Sequence, residues 1–278
     1  PAEFGHYLRD LATLSNSGAS RFAFWEEANE MRESYRAGIY QDGISGEELF
    51  IPNAEVDEIL KHFEAHLEDG IARADGATYF RYEVTEYETI DAGVQVKAFQ
   101  PTALPLFLEG AVRSLKVVDE ARAKEIYRVV KDSALFDEKL KMYKVNAPLA
   151  DEPHEIGRAR AFTPGWLENE SIWLHMEYKY LLEVLKAGLY DEFFDDFQNA
   201  LIPFQPPERY GRSPLENSSF LVSSAHPDET LHGNGFVARL SGATAEFVEM
   251  WTIMMVGKQP FVMQDDELVL RLRPIIPN

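Results

Sequence analysis

The chain has 278 residues, enough to bury one large core or two small ones. Its apolar fraction of 45% and aromatic fraction of 12% exclude intrinsic disorder. A formal net charge of −20 excludes a basic nucleic-acid groove, and the lack of cysteine excludes disulfides, thiolate metal sites and thiol nucleophiles. An anionic ligand must therefore be held by a local device, such as a helix N-terminus, against an unfavourable overall field. No apolar run approaches the about 18 residues of a membrane span, and no signal peptide opens the chain. With no cysteine, the chain reads as cytoplasmic. Pro1-Ala2-Glu3-Phe4 resembles the interior of a longer protein, and the chain stops directly after a strand-like run, so both ends read as cut.

The N-terminal third reads as helical. Phe22 to Ile39 mixes aromatic and charged residues. From Asn53, the residues Val56, Ile59, Leu60, Phe63, Leu67 and Ile71 recur at three and four, which predicts one apolar helical face. His62 and His66 share one face at i,i+4, but Lys61, Glu64 and Glu68 around them predict an exposed surface, not a metal site. Tyr79 to Thr89 is rich in strand formers and predicts a strand or hairpin, followed by a turn at Pro101 to Pro105. Helices are expected at about 106–116 and 119–132, a short strand over Lys139–Val145, and a loop over His154–Thr163. A long helix is expected from about Glu170 to Ala187, stopped by Gly188, then a second over Tyr190–Leu201. Pro203 to Asp228 reads as a long irregular segment, of the kind that is usually functional. An apolar helix over about Gly242–Val256 and strands at Val262-Met263 and Leu268–Leu270 close the chain. No repeat or linker interrupts it, so residues 1–278 are taken as one domain.

Two segments carry candidate chemistry. The first runs from Pro164 to His175 and holds Trp166, Glu168, Asn169 and His175. His175 reads either as a satisfied core histidine or as a proton or hydrogen-bond donor to an anion. The second runs from Gly233 to Gly242. Ser241 reads as a helix N-cap, while Gly242 in the first turn lets a ligand approach free N–H groups, where the helix dipole favours an anion. There is no Gly-x-x-x-x-Gly-Lys-Ser/Thr loop, so a nucleotide P-loop is excluded. Glu168, Glu170, Glu177, Glu216 and Glu246 are candidate acids among 47, and Glu216 stands out in a polar loop beside Tyr210-Gly211-Arg212. Trp166, Trp173 and Tyr210 read as sugar-stacking rings or as core.

Pro-Gly-x-x-Glu-Asn-x5-His at Pro164 to His175 resembles the corresponding segment of glycoside hydrolase family 94, which includes cellobiose, chitobiose and β-oligoglucan phosphorylases. Gly233-x-Gly235 and Ser241-Gly242 look like that family's Gly-rich stretch. Met250-Trp251, Gly257-Lys258-Gln259-Pro260 and Leu268 to Pro277 resemble the helix, turn and closing strand that follow it. The resemblance is strongest over residues 158–277. It implies a mostly α fold, the C-terminal portion of an (α/α)6 barrel of the six-hairpin glycosidase type with a few strands. It implies inverting phosphorolysis of a β-glucoside, with inorganic phosphate as co-substrate and no other cofactor. His175, Ser241 and Gly242 match the phosphate-binding positions, and Glu168, Asn169, Trp166 and Glu216 would line the sugar site. The family's general acid would fall at or upstream of Pro1, so the piece alone is expected to be inactive. The alternatives are an inverting hydrolase using Glu216 or Glu168 as base, and a non-catalytic saccharide-binding or scaffold domain. Expected partners are an oligosaccharide, phosphate, and the rest of a parent chain or a second copy, with neither nucleic acid nor membrane.

Overall fold

Three helices open the chain: α1 (Ala2–Ser15), α2 (Arg21–Asp42) and α3 (Asn53–Arg73). They are seen in a computed structural model that describes residues 1–19, 21–73, 79–91, 93–238 and 241–276. Two long antiparallel strands, β1 (Phe80–Ile90) and β2 (Gly93–Ala103), follow as a hairpin with Phe80 opposite Ala103 and Ile90 opposite Gly93. These elements make up one compact unit, Pro1–Leu104, and the rest of the chain makes a second, Pro105–Asn278, where the sequence reads as one domain.

Ring contacts and an ion pair join the helices of the first unit. α1 packs on α2 and α3. Tyr7 stacks on Tyr35 at 4.9 Å, and Arg9 grips Glu55 of α3 with an Nη2–Oε2 distance of 2.9 Å. The stripe expected on α3 is rotated. Val56, Leu60 and Leu67 are exposed and Ile59 is buried, while His62, Phe63 and His66 are half-buried. The His66 ring lies 4.0 Å from that of Phe24, so the face expected to be solvated is covered by an aromatic from α2. The predicted turn at Pro101 is instead the end of β2, because residues 99–103 find partners on β1. The hairpin face carrying Tyr82 and Phe99 meets Phe22 of α2, edge to face at 5.1 Å.

The second unit holds the large core. It comprises α4 (Leu108–Leu115), α5 (Glu120–Lys131), a small hairpin of β3 (Phe136–Asp137) and β4 (Met142–Tyr143), then β5 (Ile172–Trp173) and α6 (Leu174–Lys186). α7 (Tyr190–Ala200), the single turn α8 (Pro207–Tyr210), β6 (Ser218–Leu221), β7 (Gly235–Ala238) and α9 (Ser241–Val256) follow. β8 (Phe261–Gln264) and β9 (Glu267–Leu270) form the last hairpin. Strands β5, β6 and β7 make an antiparallel sheet with Trp173 opposite Phe220 and Phe220 opposite Phe236. The helices near 106–116, 119–132, 190–201 and 242–256 form where the sequence predicts them. α6 starts at Leu174, four residues later than expected, because Ile172 and Trp173 pair with β6.

The (α/α)6 barrel implied by the resemblance does not form among the described residues. A six-hairpin barrel is a ring of helix pairs. Here α6 lies at the centre instead, packed by α4, α7, α9 and β6, and nine of its thirteen residues are buried. The helices are divided between two units and interleaved with four small antiparallel sheets. A helix buried on all sides must be apolar nearly all round, and Leu174, Leu181, Leu182, Val184 and Leu185 make it so. No described helix is long and apolar enough to cross a membrane.

Polar groups inside this core are mostly matched. Asp196 of α7 is buried and accepts from the hydroxyls of Tyr127 and Tyr143 and from the Lys131 ammonium, which also sits 3.9 Å from the centre of the Phe136 ring. Asp137 accepts from the N–H groups of Lys139 and Leu140 and, at 2.7 Å, from that of Ser224, which ties the β3–β4 turn to the segment after β6. Glu177 of α6 differs. Its Oε1 accepts from Tyr143 N–H at 2.9 Å, but Oε2 is buried without a partner and no described cation pairs with it. Burial, reinforced by the charges of Asp196 and Asp137, holds its carboxyl well above the ordinary carboxylate range.

Because the folded state raises this pKa, the neutral acid is the favoured form, and stability is highest below the unfolded value and falls as pH rises above it. Glu177→Gln keeps the acceptor for Tyr143 and removes the titration. Urea unfolding should show the variant gaining on wild type as pH rises above the ordinary carboxylate range, with a slope of at most about 1.4 kcal/mol per pH unit. Parallel pH profiles would refute a neutral Glu177.

Candidate functional site

The segment from Thr163 to Ser171 closes on itself through short backbone bonds. Gly165 N–H donates to Asn169 O at 2.8 Å, and Asn169 N–H donates to Trp166 O at 3.1 Å. Gly165 sits at φ +80°, and a Cβ there would fall 2.6 Å from the backbone nitrogen of His226, so only glycine fits. Leu167 and Glu170 also take the left-handed region, at φ 49° and 56°. The turn is held by its partners: Asn146 donates to Glu168 O at 2.8 Å and accepts from Glu170 N–H at 2.6 Å, and Lys144 pairs with the Glu170 carboxylate at 3.1 Å.

This turn projects Trp166 against the sheet. Its ring meets Phe236 at 4.6 Å and Phe220 at 5.1 Å, edge to face in both cases. Phe220 in turn stacks on Trp173 at 5.9 Å and 8°. The two tryptophans of the motif are thus joined through one buried phenylalanine, and both stay half-buried.

Two residues after Trp173, His175 stands in the first turn of α6. Its ring lies flat against the start of α9. A Cβ built on Gly242 would come within 2.5–2.7 Å of Cε1, Nδ1 and Nε2 of that ring. Glu246, one helical turn further along α9 and on the same face, places Oε1 3.5 Å from His175 Nε2. The same end of α9 is tied to the long irregular segment by Asn217, whose amide donates to Thr244 Oγ1 at 3.2 Å. Tyr178, one turn after His175, accepts from Ile202 N–H at 2.9 Å through its hydroxyl. His175 therefore faces the N-terminal end of a sixteen-residue helix, with a carboxylate 3.5 Å from its Nε2. Such a ring can donate to an anion at the helix start, with the Glu246 carboxylate beside it.

The other predicted residues are placed differently. Glu168 is bound by Arg158 at 2.7 Å, and Glu216 lies 3.4 Å from Arg212, so each carboxylate is engaged by a guanidinium. Asn169 is buried. Its Nδ2 donates to Phe162 O at 2.7 Å, while its Oδ1 has no partner. The side chain of Ser241 lies outside the described residues, as do residues 239 and 240. The structure brings His175 against Gly242, which the resemblance grouped as phosphate-binding positions, and adds Glu246, Thr244 and Asn217. Glu246 stood among the candidate acids, and its i,i+4 spacing from Gly242 was the signal. Asn217 and Thr244 carried none. Among the described residues, no cluster of three His, Asp or Glu is placed to hold a metal ion.

No protein-family model matches the chain, and no curated protein matches it.

Gly242→Ala tests the contact directly. The new methyl must push the His175 ring away, and that ring is one-third exposed and free to swing outwards. The gain in helix propensity of about 1 kcal/mol offsets the crowding of about 1–3 kcal/mol, so stability should change little. The His175 ring signals in an NMR spectrum should shift strongly. Unchanged His175 signals would show that the ring does not rest on Gly242.

Proposed function

We propose that this chain is carbohydrate-active and contributes the phosphate and sugar subsite of an inverting β-glucoside or oligoglucan phosphorylase. The observation that carries the reading is the packing of His175 on Gly242 at the N-terminus of α9. Two segments 67 positions apart by residue number, each with anion-binding chemistry, meet at one point. There the helix dipole and the imidazole act on the same small volume. Phosphate is the co-substrate in this reading, bound between the ring and the first N–H groups of α9. Trp166 and Trp173, joined through Phe220, offer half-exposed rings for a sugar face.

The alternative of a hydrolase needs a carboxylate free to activate water. Glu168 and Glu216, the two candidates for that base, are each engaged by arginine, which disfavours this role. A non-catalytic saccharide-binding domain shares the aromatic face and differs in making no use of phosphate. Association with further chain or a second copy belongs to the same proposal and is supported by exposed Trp25, Tyr40 and Phe50 in the first unit.

Inorganic phosphate binding, followed by phosphorus NMR, tests this reading. Wild type should bind, and His175→Ala and Gly242→Ala should each weaken binding by about tenfold or more, the loss of one charge-assisted hydrogen bond. Equal binding by all three, or none by wild type, would exclude the subsite. In a protein that carries the complete activity, β-oligoglucan should yield sugar phosphate only when phosphate is present. Release of free sugar at the same rate without phosphate would leave hydrolysis instead.

A further inference from the structure

At the opposite end of α9 the chain forms a cavity of about 650 Å³, lined by none of the residues of the His175 site. Its wall is built from the turn after α9, from the closing hairpin and from the segment that follows it. Lys258, Arg271 and Arg273 line it, with Tyr190 at the start of α7 and the apolar side chains of Val262 and Ile275. None of the lining residues is acidic, although the chain as a whole carries 47 acids against 27 Lys and Arg.

The backbone dictates this convergence. After β9 the chain runs extended beside the end of α9, held by Arg271 N–H to Pro260 O at 2.6 Å, Arg273 N–H to Val256 O at 3.1 Å and Ile275 N–H to Met254 O at 2.8 Å. In an extended segment residues i and i+2 share a face, so Arg271 and Arg273 point the same way and Leu272 points the other. Lys258 follows the last turn of α9 directly and reaches the carbonyl of Lys186.

The charges are not cancelled. Among the described residues no carboxylate lies within ion-pair distance of Lys258, Arg271 or Arg273. Arg271 donates to the neutral amide oxygen of Gln264 at 2.9 Å, and Lys258 to a backbone carbonyl, so both of these partners are uncharged. Glu183 and Glu249 are held by the Lys186 ammonium, at 3.6 and 2.6 Å. Three like charges around one concavity repel one another unless an anion sits among them. The C-terminal end of α9 favours cations nearby, but it supplies only about half a unit of negative charge.

We propose that this cavity is a binding site for a small polyvalent oxyanion, a free molecule bearing two or more phosphate or carboxylate groups. The two guanidinium forks match such groups geometrically, and the Lys258 ammonium adds a point charge. The site stands apart from the His175 end by the length of α9, about 24 Å at 1.5 Å per residue for sixteen residues.

Calorimetric titration with inorganic pyrophosphate at low salt tests it, in wild type and in His175→Ala, which silences the other end of α9. A single saturable site should persist in His175→Ala. Adding Arg271→Gln and Arg273→Gln should weaken it by about tenfold or more. Exchanging Arg122 and Lys141, which are paired elsewhere on the surface, for glutamine should leave it within about twofold. Lys258→Gln alone gives a second, milder reading if the double variant fails to fold. Absence of saturable binding in His175→Ala, or equal affinity with and without the arginines, would overturn the proposal. Both outcomes are separate from the fate of the phosphate subsite.

Discussion

The burial of α6 on every side is the constraint from which the second unit follows. A thirteen-residue helix with nine buried positions needs partners all round, and α4, α7, α9 and β6 supply them. Its polar residues must then be satisfied in place. Glu183 is met by Lys186 at 3.6 Å and Lys116 at 3.9 Å, whereas Glu177 has only the Tyr143 N–H and resolves its burial by keeping its proton. The same burial fixes where α6 begins. Ile172 and Trp173 are fully engaged in the sheet, so His175 has no freedom to leave the start of α9 except by rotating its ring.

Amphipathic and apolar helices were legible in the sequence because their signal is local. α4, α5, α7 and α9 form within two residues of the expected bounds, and Gly188 ends α6 as expected. What depends on distant partners was not legible. Ile172-Trp173 reads as helix until β6, nearly fifty residues later, claims it as strand. The stripe on α3 was chosen for apolarity alone, but Phe24 of α2 covers His66, and Leu60 and Leu67 are left to solvent. The barrel failed for the same reason. Short motifs between 158 and 277 describe loops and helix starts, and the way helices assemble is a property of the whole core.

The candidate site shows the same division. His175 and Gly242 were grouped by the resemblance alone, and the packing of α6 on α9 supplies the contact between them. Glu168 and Glu216 looked available because a sequence does not reveal ion pairs. Arg158 is ten positions from Glu168, and Arg212 is four from Glu216 in a loop whose course no periodicity predicts. The tyrosine–aspartate network of Tyr127, Tyr143 and Asp196 joins α5, β4 and α7, and no spacing announces it.

α9 links two electrostatically opposite problems. Its N-terminus is partly positive and faces a histidine with a carboxylate partner, while its C-terminal end is partly negative and faces three cations that have none among the described residues. In a chain of −20 the second arrangement is the more costly to leave empty of anions, since nothing in the lining neutralises it. The helix between them is packed through Met250, Ile253 and Met254 into the core around α6, which fixes the spacing of its two ends. At about 24 Å the separation exceeds two Debye lengths of about 8–10 Å at physiological to moderate salt. The charges at the two ends of α9 are therefore largely screened from one another, although one element builds both.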